Sequence, residues 1–74
     1  MNLKEILFKE LKRYTKLNFD LNTLIKDLKI DSLDLVILIS DLEKKLKIEI
    51  SDEELMQLKT VNDIVNILEQ KQTK

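Results

Sequence analysis

Residues 31–46 read Asp31-Ser32-Leu33-Asp34-Leu35-Val36-Ile37-Leu38-Ile39-Ser40-Asp41-Leu42-Glu43-Lys44-Lys45-Leu46, and their periodicity decides the fold class. At 100° per residue, Leu35, Leu38, Ile39, Leu42 and Leu46 fall within one sector about 100° wide, which is the stripe a helix buries against a core. Asp31 stands at the cap position, and Asp31 and Asp34 put negative charge where the helix dipole favours it. The opposite side carries Leu33, Val36, Ile37 and Ser40, flanked by Asp34, Asp41, Glu43, Lys44 and Lys47. A small bundle has no means to bury both sides of one helix. An apolar patch with an acidic rim is therefore expected in solvent beside Ser32, as a docking face for a partner. The alternative is that the irregular segment 16–31 folds over the patch and buries it.

Outward from this helix the same period recurs. Leu3, Ile6, Leu7, Leu11 and Tyr14 form one stripe of a helix over about 3–15, capped by Asn2 with Glu5 closing a capping box. Ser51-Asp52-Glu53-Glu54 opens a short helix over about 52–57. Thr60-Val61-Asn62-Asp63 repeats that capping signature before a helix over about 60–70 with the stripe Val61, Ile64, Val65 and Leu68. From Lys71 the tail is expected to fray. Residues 16–31 are a long connection: Asn18, Asp20, Asn22 and Thr23 favour turns, while Leu24, Ile25, Leu28 and Ile30 are too apolar for a solvated loop. The expectation is a single all-α domain spanning residues 1–74, a small four-helix bundle with a short third helix and a long loop between the first two.

What the chain lacks narrows its chemistry. It has no histidine and no cysteine, so Ser-His-Asp and Cys-His arrangements and thiolate metal sites are out of reach. It has no glycine for a phosphate-cradling loop, and at 74 residues it has little room for a substrate cleft. Asp31 to Glu43 is not a calcium loop, because the turn glycine and the ligand spacing are missing. These absences point to a carrier or binding module rather than an enzyme. Neither a signal-peptide segment nor a membrane-spanning run is visible, so a cytoplasmic protein that does not insert into membranes is expected.

Net charge is −1 but uneven: residues 31–54 carry −5, residues 1–30 carry +3 and residues 55–74 carry +1. An acidic middle argues against nucleic acid and for a basic protein surface as the partner.

The stretch Asp31-Ser32-Leu33-Asp34-Leu35, opening an acidic helix, resembles the phosphopantetheine attachment motif of acyl carrier proteins. Asp27-Leu28 upstream, residues 41–54 downstream and Thr60-Val61 before the last helix extend the resemblance from about Leu3 to Leu68. The resemblance implies that a phosphopantetheinyl transferase attaches a 4'-phosphopantetheine arm to Ser32 from coenzyme A, with Asp31 and Leu33 recognised in that reaction. It implies acyl chains carried as thioesters for fatty acid or lipid biosynthesis by a monomer that is not itself catalytic. Asp34, Val36, Ile37, Glu43 and Asp52 would meet acyl-loading and acyl-transfer enzymes with basic docking surfaces. Leu42, Ile50, Leu55, Leu58 and Ile64 would line an acyl pocket. No metal site is implied within the chain itself.

This sequence departs from the family pattern in three ways. Lys29 stands where glycine is usual, Ile37 and Lys44 where acids are typical, and Leu55 and Ile64 where smaller residues are common. Two alternatives remain: a carrier of aminoacyl (D-alanyl) or polyketide groups, and a helical interaction domain with Ser32 unmodified.

Overall fold

A computed structural model describes residues 2–72 of the chain. The element order is α1 (Leu3–Tyr14), a 3₁₀ turn (Ile25–Leu28), α2 (Ser32–Leu46), α3 (Asp52–Gln57) and α4 (Val61–Gln72). α1 packs on both α2 and α4. The core is Leu7 and Leu11 of α1, Leu28 of the 3₁₀ turn, Leu38, Ile39, Leu42 and Leu46 of α2, and the stripe Val61, Ile64, Val65, Ile67 and Leu68 of α4. α3 is a single capped turn and a half, and none of its residues is fully buried. This is the all-α bundle with a short third helix that the periodicity predicts.

The ends of the helices differ from expectation for local reasons. α1 stops at Tyr14 because Thr15 turns extended, at φ −130° and ψ 143°, while its backbone N–H still bonds Leu11 O. The buried Thr15 hydroxyl donates to Leu28 O at 2.9 Å and accepts from Leu17 N at 3.2 Å, so it ties the long connection to the end of α1. Asn2 caps α1 by accepting from Lys4 N, but Glu5 does not close a box there. α4 begins at Val61 with Thr60 before it, and it stays helical to Gln72, past the expected end near Gln70; residues 73–74 of the tail expected to fray lie outside the described residues. Gln72 Nε2 donates to Leu46 O at 2.6 Å and Lys71 Nζ pairs with Glu54 Oε1 at 3.0 Å, which holds that last turn against α2 and α3.

The two later capping boxes form as the sequence implies. Ser51 Oγ accepts from Glu54 N at 3.1 Å and Glu54 Oε1 accepts from Ser51 N at 3.1 Å. Thr60 Oγ1 accepts from Asp63 N, and Asp63 Oδ2 accepts from both Lys59 N and Thr60 N. These backbone bonds are the first cause of the lowered pKa of each carboxyl. For Glu54 the Lys71 ammonium adds to it.

The connection 15–31 is pinned to the start of α4. Leu24 and Thr60 form an isolated antiparallel bridge, flanked by Ile25 N to Lys59 O at 2.8 Å and Val61 N to Thr23 O at 3.0 Å. Asn62 N donates to Leu21 O at 2.9 Å. Loop carbonyls thus satisfy N–H groups that a helix start otherwise leaves open.

One charged residue lies in the core face of α1. Glu10 is 1% exposed; its Oε1 pairs with Lys45 Nζ of α2, and Arg13 Nη1 stands 3.6 Å from Oε2. That arginine contact is an ion pair by distance only, since Oε2 accepts no hydrogen bond.

Candidate functional site

The path into Ser32 is fixed from both sides. Leu28 is buried and its carbonyl is held by Thr15. Lys29 then takes the left-handed conformation, φ 57° and ψ 34°, which ends the 3₁₀ turn and redirects the chain. Ile30 packs half-buried against the core, Asp31 is the N-cap, and Leu35 N donates to Asp31 O at 2.9 Å. The Asp31 carboxylate makes no capping hydrogen bond, contrary to expectation; only its backbone carbonyl serves the helix.

Ser32 is exposed at the first position of α2, and its hydroxyl has no hydrogen-bond partner among the described residues. The N–H groups of Ser32, Leu33 and Asp34 likewise lack one. With the positive end of the helix dipole they favour an anion next to that hydroxyl. Among the described residues no acid, base or nucleophile lies within hydrogen-bond reach of the Ser32 hydroxyl to activate it.

Ser32 sits at the edge of a cleft of about 450 Å³ lined by Leu24, Ile25, Lys26, Ile30, Ser32, Leu35, Leu58 and Lys59. The bridge between Leu24 and Thr60 keeps its two walls together. Leu35 is only half-buried because it faces this cleft rather than the closed core. No local pattern in the sequence assigns Leu24, Ile25, Ile30 and Leu35 to a pocket, although the apolar excess of the connection is a signal of it.

The five residues expected to line an acyl pocket are not gathered into one space. Leu42 and Ile64 are 0% exposed within the closed core. Leu55 packs half-buried against that core. Ile50 borders a separate groove of about 630 Å³ with Glu43, Ile48, Glu54 and Lys71. Leu58 alone lines the cleft at Ser32.

The outer face of α2 is open. Leu33 is 68% exposed, Val36 51% and Ile37 43%, so the connection does not fold over them. Met56 of α3 adds to the exposed apolar surface at 84%. Asp34 and Asp52 form no ion pair among the described residues. Glu43 is differently placed: its Oε2 accepts from Ile50 N at 2.9 Å, so its carboxylate closes the connection between α2 and α3. Among the described residues no group of three or more acidic, histidine or cysteine side chains is placed to hold a metal ion. No described helix is long and apolar enough to cross a membrane.

A four-helix bundle that offers one unactivated serine at a helix start, beside an apolar cleft and an open apolar face, defines a carrier module. The family model for the phosphopantetheine attachment site matches residues 3–68. An acyl carrier protein homolog of Mycoplasmopsis pulmonis is 48% identical over 71 residues, 96% of this chain and 97% of that one. The acyl carrier protein of Coprothermobacter proteolyticus is 40% identical, covering 89% of this chain and 90% of its own. In structure, the acyl carrier protein of Thermotoga maritima superposes with a TM-score of 0.77 at 25% identity, covering 96% of this chain and 91% of that one. The chain belongs to the acyl carrier protein family of phosphopantetheine attachment domains.

Proposed function

We propose that Ser32 Oγ carries the 4'-phosphopantetheine arm and that the chain ferries acyl groups as thioesters for fatty acid or lipid biosynthesis. The observation that supports this most directly is the free, exposed Ser32 hydroxyl at the start of α2, lining the apolar cleft. The residues present fit the group. Unpaired N–H groups at the helix start suit its phosphate, and Lys26 and Lys59 border the cleft that leads away from it. When bound, the arm supplies the thiol that this cysteine-free chain lacks.

Loading would form a phosphoester bond between Ser32 Oγ and the pantetheine-side phosphorus of coenzyme A as the pyrophosphate P–O bond breaks, releasing adenosine 3',5'-bisphosphate. The serine proton has to leave to a base on the transferase, because none stands beside Oγ. Asp31 and Leu33 flank Ser32 in solvent and are the residues a transferase would touch first. Leu24, Ile25, Ile30, Leu35 and Leu58 are the apolar surface open to the arm and the first carbons of its cargo. Extending that space to Leu42 and Ile64 would require α2 and α4 to part.

On this reading the protein is a non-catalytic, cytoplasmic monomer that docks on acyl-loading and acyl-transfer enzymes through Asp34, Val36, Ile37 and Asp52. Intact mass after incubation with coenzyme A, magnesium and a promiscuous phosphopantetheinyl transferase tests it. One phosphopantetheine should be added to wild type and none to Ser32→Ala. Folded wild type that gains no mass would refute the carrier reading.

A further inference from the structure

The exposed side of α2 changes character along its length. Its first half presents Leu33, Val36 and Ile37, with Asp34 on one flank. Its last turn presents Lys44, and Lys47 follows directly, both exposed. On the helical wheel Leu33, Ile37 and Lys44 lie within one sector about 40° wide, so they share the outward stripe. Neither lysine forms an ion pair among the described residues, whereas neighbouring Lys45 pairs with Glu10. Glu43, next to Lys44, keeps its negative charge, but its Oε2 is held by Ile50 N in the connection. Asp41 lies on the flank and Glu49 in the connection that follows.

Leu33 and Lys44 are separated by about 16 Å along the axis, two Debye lengths of about 8 Å at physiological salt. The acids near Ser32 therefore do not offset the lysines at the other end, and a partner meets two electrostatic environments in succession.

We infer that the partner surface for this face is itself of mixed sign: an apolar centre against Leu33, Val36 and Ile37, basic groups opposite Asp34, and acidic groups opposite Lys44 and Lys47. The charge asymmetry selects the occupant. A uniformly basic surface meets like charge at the last turn of α2, and like-charge juxtaposition rejects a wrong partner while opposite charge fixes the register of the right one. Lys44 and Lys47 are specificity residues that determine which enzymes accept this carrier. This rests on the carrier reading only for the place of docking, and loading of Ser32 read by mass tests that reading separately.

Two synthetic helical peptides with the same leucine stripe serve as probes. One is flanked by arginines throughout; the other has arginines toward one end and glutamates toward the other. By fluorescence anisotropy at physiological salt, wild type should prefer the mixed peptide by about two- to fivefold, the scale of exposed charge pairs. A Lys44→Glu, Lys47→Glu variant should reverse the order. A Lys9→Glu, Lys12→Glu variant, with the same change in net charge on α1, should keep it. Equal or tighter binding of the all-arginine peptide by wild type would overturn the inference, as would an unchanged order in Lys44→Glu, Lys47→Glu. A wild-type dimer by light scattering that Ile37→Glu dissolves would also overturn it, since a second copy would then be the occupant. Because the wild-type preference is itself decisive, the test does not depend on any variant folding.

Discussion

Among the described residues Lys29 and Lys47 are the ones with positive φ, at 57° and 56°, and the chain has no glycine to take such positions. Each side chain pays for its Cβ in that conformation by an amount on the order of 1 kcal/mol. Lys29 tolerates this because Leu28 before it is locked into the core and its carbonyl is held by Thr15. Replacing it with glycine relieves the contact but widens the freedom of the unfolded chain, so the two effects partly offset. Lys29→Gly is expected to stabilise the protein by up to about 1 kcal/mol in urea denaturation, with no effect on loading of Ser32. A loss of stability would show that the lysine side chain contributes something beyond its backbone. Sequence alone marked position 29 as unusual only through its resemblance to a family that keeps glycine there. The left-handed backbone supplies the physical reason. Glu10 had no such marker: its place three residues after Leu7 and next to Leu11 put it on the buried face, but the lysine that meets it comes from α2, 35 residues away.

At the scale of elements, α2 shows two opposite environments on one helix. Leu42 is 0% exposed and Leu33 68%, although both are leucines in the same acidic context. Leu42→Ala should cost about 2–5 kcal/mol, because it removes packed methyl groups and leaves a cavity. Leu33→Ala should change stability by less than about 0.5 kcal/mol and act on partner binding instead. Paired urea melts check this, and a comparable loss for both would mean that the outer face is covered. The two faces of α2 were legible because helical period is a local property of the sequence. The capping boxes at Ser51 and Thr60 were legible for the same reason, each lying within four residues. The cleft beside Ser32 was not. Its walls are brought together by Ile25 N to Lys59 O and by the Leu24 and Thr60 bridge, pairings across more than 30 residues that no local pattern encodes. Of the two positions where the resemblance leads one to expect smaller residues, Ile64 is 0% exposed in the closed core and Leu55 packs half-buried against it.

For the molecule as a whole, the radius of gyration is 11.2 Å, as packing of a chain this long requires. Its core is nonetheless small, and a small core leaves stability marginal and sensitive to the ends of its helices. Two carboxylates control those ends at α3 and α4. Glu54 closes the box on Ser51 and reaches Lys71, which joins α3 to the last turn of α4; Asp63 holds Lys59 N and Thr60 N at the start of α4, beside the bridge to the connection. Both have pKa values lowered from ordinary values of 4.5 and 3.8, first by those backbone hydrogen bonds. A carboxyl whose folded pKa is lowered binds fewer protons when folded than when unfolded. Its contribution is therefore present above the ordinary value and lost as pH falls through the lowered one. Thermal melts should show the midpoint level near neutrality and falling below about pH 4.5, with α4 and the cleft loosening along with α3. In Glu54→Gln, Asp63→Asn the midpoint should be lower near neutrality and its fall below that pH shallower. A double variant with the full wild-type slope would show that Glu54 and Asp63 are not the source of the acid sensitivity.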